Sequence, residues 1–465
     1  MIREFEQDTI AAISTPPGEG GIGIVRLSGR QALAIADKIF SPRGKTPAHQ
    51  QKSFTAQYGH VVASEGGRTR VVDEVLLLVM RAPKSYTCED VVEISAHGGA
   101  ATLEAILRLV LEAGARLAAP GEFTQRAFLN GRIDLLQAEA VLDLIQAKTE
   151  LGQRAAAAHL GGGLSKKMLV LKDVLVGVLS HLEACVDFPE DAPDTDSREA
   201  IEKKIEGAVS DIHALLAGSE LGLIVKNGLK TVIAGRPNVG KSSLMNRLSR
   251  SDRVIVTAYP GTTRDVVEET VQMRGLPLRL LDTAGIQDSS HPIEKQGIER
   301  SKKSMEAADL VLYVLDGSQN LSPEDTVLLK SLNDKAKIVV INKMDLKQNL
   351  EVKELQQYLD GSPLAYCSCL DDRGIDELEN KIFSFICQGR ELSHEPLVSS
   401  LRQKTLLQKT LESLEQAQSA CREHLSPEFC AADVRIALQH LGELVGEVVP
   451  DDVLEVLFKQ FCIGK

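Results

Sequence analysis

Residues 235–242 have the types and spacing of a phosphate-binding loop, Gly-Arg-Pro-Asn-Val-Gly-Lys-Ser, and they directly follow the apolar run 231–234. The glycines allow backbone N–H groups to close around phosphate oxygens, and Lys241 adds positive charge at the β- and γ-phosphates. The Ser242 hydroxyl is a candidate Mg²⁺ ligand. The alternative is a glycine-rich turn between a strand and a helix that binds nothing. Three further motifs, which follow in the expected order, favour the nucleotide site.

Two of these motifs predict the remaining contacts to a guanine nucleotide. Asp-Thr-Ala-Gly at 282–285 follows the apolar run 278–281, which places a carboxylate near the magnesium shell and a glycine N–H near the γ-phosphate. Asn-Lys-Met-Asp at 342–345 follows the run 337–341, and its aspartate can accept hydrogen bonds from N1–H and N2–H₂ of guanine. Because adenine lacks this donor pattern, we expect GTP to be preferred over ATP by at least roughly tens-fold.

The third motif, Gly-Thr-Thr-Arg-Asp at 261–265, lies where nucleotide switches carry a threonine that completes Mg²⁺ coordination in the presence of the γ-phosphate. We predict that Thr263 is this ligand; the alternative is a surface turn rich in glycine and threonine. A further element, usually Ser-Ala-Lys-like, supports the base from the end of the last strand. In this chain it is Ser368-Cys369-Leu370, with cysteine in the place of alanine.

The hydrolytic machinery of signalling GTPases is incomplete in this sequence. Their water-positioning glutamine directly follows Asp-x-x-Gly, and Ile286 occupies that position. Asn238 is a candidate ligand for a monovalent cation beside the phosphates, which would replace an arginine finger, or it is an ordinary loop asparagine. Glu294 is a candidate for holding the attacking water, or it is a solvated surface glutamate.

The sequence pattern of the elements that must position these residues predicts a multidomain protein that is part α/β and part all-α. Residues 1–131 alternate short apolar runs, at 22–27, 72–80 and 91–94, with alanine- and leucine-rich stretches, which indicates an α+β domain. Residues 132–226 and 391–465 have helical periodicity and no strand pattern, with an apolar stripe from 133 to 147 and helices predicted at 401–418 and 432–447. Residues 227–390 alternate helices with apolar strands, among them 310–315 and 337–341, which is typical of a mostly parallel sheet. We therefore predict a P-loop GTPase domain inserted into a helical domain that two chain segments form.

The composition of the chain indicates the cellular environment in which the protein works. The chain has 465 residues and a net charge of −12, so it is a poor general ligand for nucleic acid. Its eight cysteines lack Cys-x-x-Cys spacing, which favours reduced thiols over a zinc site or a disulfide framework. No continuous apolar run approaches the roughly 18 residues of a membrane span, and the first ten residues are rich in charge. We expect a cytoplasmic protein without a membrane segment.

Several separate segments resemble one family. They are Thr-Pro-Pro-Gly at 15–18, Glu-Asp-Val at 89–91 with His-Gly-Gly at 97–99, Pro-Gly-Glu-Phe at 120–123 with Arg-Ala-Phe-Leu-Asn at 126–130, the motif at 261–265 and the terminal Phe-Cys-Ile-Gly-Lys at 461–465. Together with the insertion architecture, these segments resemble the MnmE (TrmE) family of tRNA-modification GTPases. The resemblance covers essentially the whole chain.

The resemblance implies a folate-binding and dimerising domain at 1–131, a helical domain at 132–226 and 391–465 that ends in Cys-Ile-Gly-Lys, and an inserted G domain at 227–390. It implies a homodimer, formed through the N-terminal domain, that acts in a heterotetramer with MnmG (GidA), a flavoprotein that carries the FAD. The pair would modify carbon 5 of the wobble uridine in tRNA with a one-carbon unit from 5-formyl- or methylene-tetrahydrofolate. GTP with Mg²⁺ would drive this reaction, and K⁺ would promote pairing of the G domains and hydrolysis.

The resemblance also implies roles for individual residues. The guanine-nucleotide site would include Asn238, Val239, Gly240, Lys241, Ser242, Ser243, Thr257, Ala258, Tyr259, Pro260, Gly261, Thr262, Thr263, Asp282, Thr283, Ala284, Gly285, Asn342, Lys343, Asp345 and Ser368. K⁺ would be bound by Asn238, Thr257, Tyr259 and Thr262, and Mg²⁺ by Ser242 and Thr263. Folate would contact Arg26, Glu93, Arg132 and Lys465. Catalytic candidates are Glu294, Lys241 and Cys462.

The rival function is a GTPase that regulates ribosome assembly by docking on RNA. Such a protein would share every motif from the phosphate-binding loop to Asp345. It would typically add an RNA-binding module such as a KH domain, which has a Gly-x-x-Gly loop. No such spacing occurs in residues 391–465, which favours the enzyme.

Overall fold

The computed structural model divides the chain into two compact units, each described here by itself. Unit 1 comprises Met1–Leu142, Leu160–Leu169 and Gln439–Lys465, and unit 2 comprises Asp143–His159 and Val170–Leu438. The residues that the structure describes are 8–44, 46–188, 198–251, 268–281, 305–387 and 397–465.

Unit 1 is built on a seven-stranded sheet with the order β3-β4-β5-β6-β2-β1-β7. Its strands are β1 Ile10–Ile13, β2 Gly20–Ser28, β3 Phe40–Pro42, β4 Thr55–Glu65, β5 Arg68–Met80, β6 Val91–Gly98 and β7 Arg116–Leu117. All neighbouring strands are antiparallel except β1 and β7, which are parallel. The strands that the sequence predicts near 22–27, 72–80 and 91–94 are confirmed as the sheet centre.

Helices pack on this sheet, and the helices that follow along the chain lie partly in unit 2. They are α1 Ala32–Ile39, α2 Ala100–Glu112, α3 Glu122–Leu129, α4 Leu135–Gln146, α5 Glu150–Leu160, α6 Gly163–Asp187, α7 Arg198–Ala217 and α8 Ser219–Asn227. Helix α2 buries Leu103, Ile106 and Val110 at three- and four-residue spacing against the sheet core. The α+β architecture predicted for this part of the chain is therefore confirmed.

Unit 2 contains a six-stranded sheet with the order β13-β12-β11-β8-β10-β9. Its strands are β8 Leu229–Ala234, β9 Glu268–Met273, β10 Leu276–Leu281, β11 Leu310–Asp316, β12 Lys337–Asn342 and β13 Leu364–Tyr366. Only β9 is antiparallel to its neighbour, so the predicted, mostly parallel sheet is confirmed. Alternate residues of β11 enter separate cores on the two faces, which explains its continuous apolar sequence.

The remaining helices surround this sheet or follow it. They are α9 Lys241–Ser251, α10 Pro323–Ser331, α11 Val352–Leu359, α12 Ile375–Cys387, α13 Leu401–Arg422, α14 Pro427–Val445 and α15 Asp451–Phe458. Helix α7 packs along α13 and buries Ile201, Ile205, Ala208, Ile212 and Leu215. Between residues 132 and 226, the described part of the chain is helical without a strand, as the sequence predicts.

One helical stretch within the described residues, Arg198–Asn227, is long and apolar enough to cross a membrane, with a mean hydropathy of 1.4 and 39% of the window buried. The expectation from the sequence concerns only uninterrupted apolar runs. In this window a few polar residues interrupt the apolar ones, and the mean hydropathy is still high. Buried helices of soluble proteins meet the same criterion. The part of this stretch that forms α7 packs along α13 and buries one set of its apolar side chains.

The chain enters and leaves the sheet of unit 2 at one place. A Cβ atom on Gly222 in α8 would lie only 2.1 Å from the carbonyl oxygen of Val398, so the two backbones are in direct contact. Nearby, buried Asp143 pairs with Lys226 at 2.7 Å and accepts a 3.2 Å hydrogen bond from Ser399. These contacts join the segment before β8 to the segment that precedes α13.

Candidate functional site

The phosphate-binding loop connects β8 to α9 at the carboxyl edge of the parallel strands, where ligands of α/β sheets bind. Its backbone has positive φ at Gly235 (146°), Asn238 (64°) and Gly240 (101°). A Cβ atom on Gly240 would lie 2.1 Å from Asn342 Nδ2, so this position also requires glycine for space. The sequence therefore forms the tight loop in which backbone N–H groups can surround a phosphate.

Lys241 begins α9, and its ammonium is held by the loop itself. Nζ donates hydrogen bonds to the carbonyl oxygens of Gly235 at 3.0 Å and Arg236 at 2.7 Å. Burial lowers the pKa of Lys241 from its ordinary value. Ser242 and Ser243 follow in the first helical turn and are exposed, so their hydroxyl groups are accessible for a metal ion or a phosphate.

Asn342 connects the base-recognition motif to the phosphate-binding loop. Its Nδ2 donates a 2.9 Å hydrogen bond to the carbonyl oxygen of Val239, and its Oδ1 accepts a 3.3 Å hydrogen bond from the backbone N–H of Cys369. Asn342 is buried, so these bonds are protected from water. One side chain thus joins three loops that the sequence predicts to contact the nucleotide.

Asp345 and Ser368 lie side by side, as expected for two residues that recognise one base. The Ser368 hydroxyl donates a 2.6 Å hydrogen bond to Asp345 Oδ1, and it accepts one of 3.3 Å from Leu370 N–H. Ser368 is fully buried, whereas Asp345 is partly exposed. The serine therefore fixes the carboxylate while leaving its second oxygen available.

The matches to known proteins cover the whole chain. A model described as the MnmE helical domain matches residues 135–462, and one described as the GTP-binding protein TrmE N-terminus matches residues 9–132. A tRNA modification GTPase MnmE from Alkaliphilus oremlandii is 44% identical over 99% of this chain and 100% of its own length. The protein of the same name from Thermoanaerobacter pseudethanolicus is 46% identical, over 98% and 99%. The chain belongs to the MnmE family. GTP hydrolysis in tRNA modification follows from this membership.

Similar chains are also found among solved structures. The G domain of the T. maritima FeoB iron transporter is 30% identical, covers 34% of this chain and 98% of its own, and has a TM-score of 0.26.

Several MnmE site residues predicted from the sequence lie outside the described residues. They are Thr257, Ala258, Tyr259, Pro260, Gly261, Thr262, Thr263, Asp282, Thr283, Ala284, Gly285 and Glu294. Their roles stay predictions. The residues described above fit the rest of the site, because a lysine, a serine hydroxyl and a glycine-rich loop are the groups that hold a nucleotide phosphate with Mg²⁺.

Three of the four residues that the MnmE resemblance assigns to folate come together in unit 1. Arg26 pairs with Glu93 at 2.8 Å across neighbouring strands, and its Nη1 donates a 3.3 Å hydrogen bond to the Gly464 carbonyl oxygen. The next residue is Lys465, whose pKa is lowered by burial and by the charge of Arg26. Arg132 contacts Tyr86 instead, with its guanidinium 4.8 Å from the ring centroid.

The terminal segment of MnmE proteins that contains Cys462 is held by backbone contacts. The carbonyl oxygen of Cys462 accepts hydrogen bonds from Gly121 N–H and Lys465 N–H, both at 3.4 Å, and Ile463 forms a bridge with Pro120. The Cys462 side chain itself is exposed. This arrangement presents the thiol at the surface close to Lys465.

Two ion pairs beside the nucleotide site escaped the sequence prediction. Lys343 pairs with Asp316 at 2.7 Å; burial opposes ionisation of this aspartate, but the lysine lowers its pKa overall. Arg236 pairs at 2.8 Å with Asp325, which is 1% exposed and closes the capping box of α10. In the sequence, Asp316 directly follows the apolar run 310–315, as Asp282 follows the run 278–281, and this position was a signal. No feature of the sequence indicated that Arg236 and Asp325 form an ion pair.

Proposed function

We propose that the protein is a K⁺-stimulated GTPase that acts with an FAD-dependent MnmG partner to modify carbon 5 of the tRNA wobble uridine. Tetrahydrofolate, as its 5-formyl or methylene derivative, would supply the one-carbon unit. The observation that carries the proposal is the joined nucleotide site, in which Asn342 links the phosphate-binding loop to the loop around Ser368. We also propose a cytoplasmic location, where tRNA is modified.

In this site, each residue of the phosphate-binding loop has a distinct task. Backbone N–H groups from Val239 to Ser243 would bind phosphate oxygens, and Lys241 would neutralise charge on the transferred group. Ser242 and Thr263 would ligate Mg²⁺, which polarises the phosphate oxygens when bound. Asp345 would accept the guanine N–H groups, and Asn342, Lys343 and Ser368 would keep it in place. Further contacts would come from the segments 257–263 and 282–285.

Asn238 is our candidate for the K⁺ ligand that replaces an arginine finger. It has a positive φ of 64°, lies at the exposed turn of the loop, and is followed by the residues that surround the phosphates. A carboxamide oxygen suits an alkali-metal ion, and Thr257, Tyr259 and Thr262 would complete the shell. Glu294 would orient the attacking water. In this proposal, the positive charge beside the phosphates comes from a bound K⁺ ion and not from an arginine guanidinium.

The cation prediction can be measured directly. GTP turnover should be about tenfold or more faster in K⁺ than in Na⁺ at equal ionic strength, because only the better-fitting ion stabilises the transition-state charge. Asn238→Ala should abolish this difference. The matched control is Asn246→Ala, which removes an exposed asparagine from α9 and should retain the full K⁺ effect. Equal rates in the two salts, or an Asn238→Ala protein that still responds to K⁺, would contradict the role.

For folate, we propose a site around Arg26, Glu93 and Lys465, to which Arg132 contributes from its position on Tyr86. Two cationic side chains next to one carboxylate leave a net positive charge, which suits the carboxylates of a folate tail. Glu93 could pair with the N–H edge of a pterin. Cys462 would act near the bound cofactor, since its exposed thiol lies close to Lys465.

Homodimerisation is proposed to use the N-terminal sheet. Tyr58 and Leu76 are register partners on β4 and β5, and their side chains are 37% and 49% exposed. Val71 on β5 is also exposed. Apolar side chains on neighbouring strands would be covered when two copies meet. Pairing of the G domains would add a second, nucleotide-dependent contact.

The decisive experiment is analysis of wobble uridines in tRNA from cells that lack this protein. We expect the carbon 5 modification to disappear and to return when the wild-type gene is supplied. A ribosome-assembly GTPase predicts normal modification together with abnormal ribosomal particles. Fully modified tRNA in the deletion strain would therefore contradict the proposed function.

A further inference from the structure

Two cysteines flank Ser368 in the loop that supports the guanine-binding aspartate. Cys367 follows β13, is 1% exposed, and donates its backbone N–H to Ile341 at 2.9 Å. Cys369 is partly buried. They are two residues apart in the chain, and each thiol acts on the pKa of the other through a hydrogen bond, so the two side chains lie close together beside the serine. Both cysteines are recorded as free thiols in the structure.

The loop that carries these thiols has little freedom to adjust. The carbonyl oxygen of Cys369 accepts a 3.1 Å hydrogen bond from Arg247 Nε, while its N–H is bound by Asn342 Oδ1. The same Asn342 oxygen lies 3.7 Å from Cys367 Sγ. A change in the sulfur positions must therefore act on Asn342 and on the serine between them.

The surroundings give the two thiols different reactivity. The hydrogen bond from Cys367 lowers the pKa of Cys369, and the guanidinium of Arg247 lowers it further, against the effect of burial. The pKa of Cys367 is raised by the same hydrogen bond and by burial. Cys369 is also the more exposed of the two thiols, so an oxidant would reach it first, and Cys367 is the neighbouring thiol that can resolve the product.

We propose that Cys367 and Cys369 are a redox-modification site, at which oxidation by a hydroperoxide to a disulfide weakens guanine-nucleotide binding. The proposal rests on the proposed guanine site around Asp345 and Ser368. In the first step, the Cys369 thiolate attacks hydrogen peroxide, forming a sulfenic acid and releasing hydroxide. In the second, the sulfur of Cys367 attacks this sulfenic acid, so that a disulfide forms and water leaves. Two electrons pass from the thiols to the peroxide.

The disulfide changes the base-recognition loop because its sulfur atoms must approach to about 2.05 Å across one intervening residue. Closing this small ring turns the backbone at Ser368, which takes its hydroxyl away from Asp345. It also moves the Cys369 N–H from Asn342. Each lost hydrogen bond leaves a buried polar group without its partner, so we expect the dissociation constant for GDP to rise at least about tenfold.

A second thiol pair in the same unit supplies an internal control. Cys421 in α13 and Cys430 in α14 are buried with their sulfur atoms 3.0 Å apart. The hydrogen bond with Cys430 lowers the pKa of Cys421 to about 7. This pair can oxidise too, but it belongs to the helices after the sheet and has no contact with the base-recognition loop among the described residues.

The test measures GDP affinity of the full chain with a fluorescent GDP, first reduced, then after hydrogen peroxide, then after dithiothreitol. The wild-type dissociation constant should rise at least about tenfold on oxidation and return on reduction. Each variant is compared with its own reduced form. Cys369→Ala should show no change on oxidation, whereas the double variant Cys421→Ala and Cys430→Ala should respond like the wild type. Peptide mapping should find a disulfide between Cys367 and Cys369.

Three results would overturn the proposal. They are a mapped Cys367–Cys369 disulfide with unchanged GDP affinity, an oxidised protein without that disulfide, and a Cys369→Ala variant that loses affinity as the wild type does. Failure of the underlying guanine site gives a different result, because the reduced wild-type protein would then bind no GDP. The two failures are therefore distinguishable.

Discussion

A Lys241→Met variant is expected to fold normally and to hydrolyse GTP about 10²- to 10³-fold more slowly than the wild type. The carbonyl oxygens of Gly235 and Arg236 hold the ammonium at the mouth of the phosphate-binding loop, where it can meet the charge that develops on the phosphate. Methionine keeps an unbranched side chain that is only one atom shorter, and it removes the charge. Because burial lowers the pKa of Lys241, the folded protein disfavours the charged form, and its removal should not reduce stability.

The measurement is single-turnover hydrolysis of GTP with saturating protein, combined with thermal unfolding. The control is Lys230→Met, which makes the same chemical change in β8, the strand that leads into the loop. It should hydrolyse GTP within about threefold of the wild type, since Lys230 is half-buried at the start of β8, at the end of the strand away from the loop. A Lys241→Met protein that retains wild-type turnover would show that the phosphate charge is neutralised elsewhere.

The second large effect is expected for Asp345→Asn, which should weaken GTP binding by about 10²-fold and create affinity for xanthosine triphosphate. The carboxylate accepts two N–H groups of guanine, whereas an amide offers one acceptor and one donor. Xanthine has a carbonyl group in place of the guanine amine, so it matches the amide. Asparagine retains the oxygen that accepts the 2.6 Å hydrogen bond from Ser368, and the loop should keep its shape.

Competition between GTP and xanthosine triphosphate for the full chain measures this exchange of specificity. Asp334→Asn is the matched control, because Asp334 is an exposed aspartate just before β12, at the opposite end of the strand that leads to Asp345. It should leave both affinities as they are in the wild type. An Asp345→Asn protein that prefers GTP as strongly as before would remove Asp345 from base recognition.

The sequence predicts the sheet of unit 2 well because its central strands are buried on both faces. The apolar runs 310–315 and 337–341 correspond to β11 Leu310–Asp316 and β12 Lys337–Asn342, each one residue longer at a polar end. Those polar ends are the site itself, since Asp316 and Asn342 bind Lys343 and Val239. Motif order along a parallel sheet therefore predicts which side chains meet.

Helix limits were harder to predict than strands. The helix predicted at 401–418 extends to Arg422, and the one predicted at 432–447 is observed as Pro427–Val445. Proline fits the first turn of a helix, where no backbone N–H donor is needed, so Pro427 was compatible with the earlier start. The single periodic stripe from residue 133 to 147 marks only α4, and two further helices follow before residue 188.

Contacts between distant segments could not be predicted from spacing. Arg26 and the Gly464 carbonyl oxygen are separated by 438 positions, and before the structure only the family resemblance placed Arg26 with the neighbouring Lys465. Arg236 and Asp325 are likewise distant in the chain, and neither belongs to a motif that names the other as its partner. Such pairs depend on how helices and strands pack against each other, and the residues around each position in a single sequence do not show this.

The contact between Gly222 and the Val398 carbonyl oxygen has an engineering consequence. Since the two backbones touch where the sheet-bearing segment departs and returns, a bridge of a few glycine and serine residues should span the gap after that segment is excised. The shortened polypeptide would test whether the helices assemble without the excised segment that carries the sheet. For the same reason, this segment could be replaced by an unrelated domain whose N- and C-termini lie close together. Joining such a domain to the helices should cost little conformational entropy.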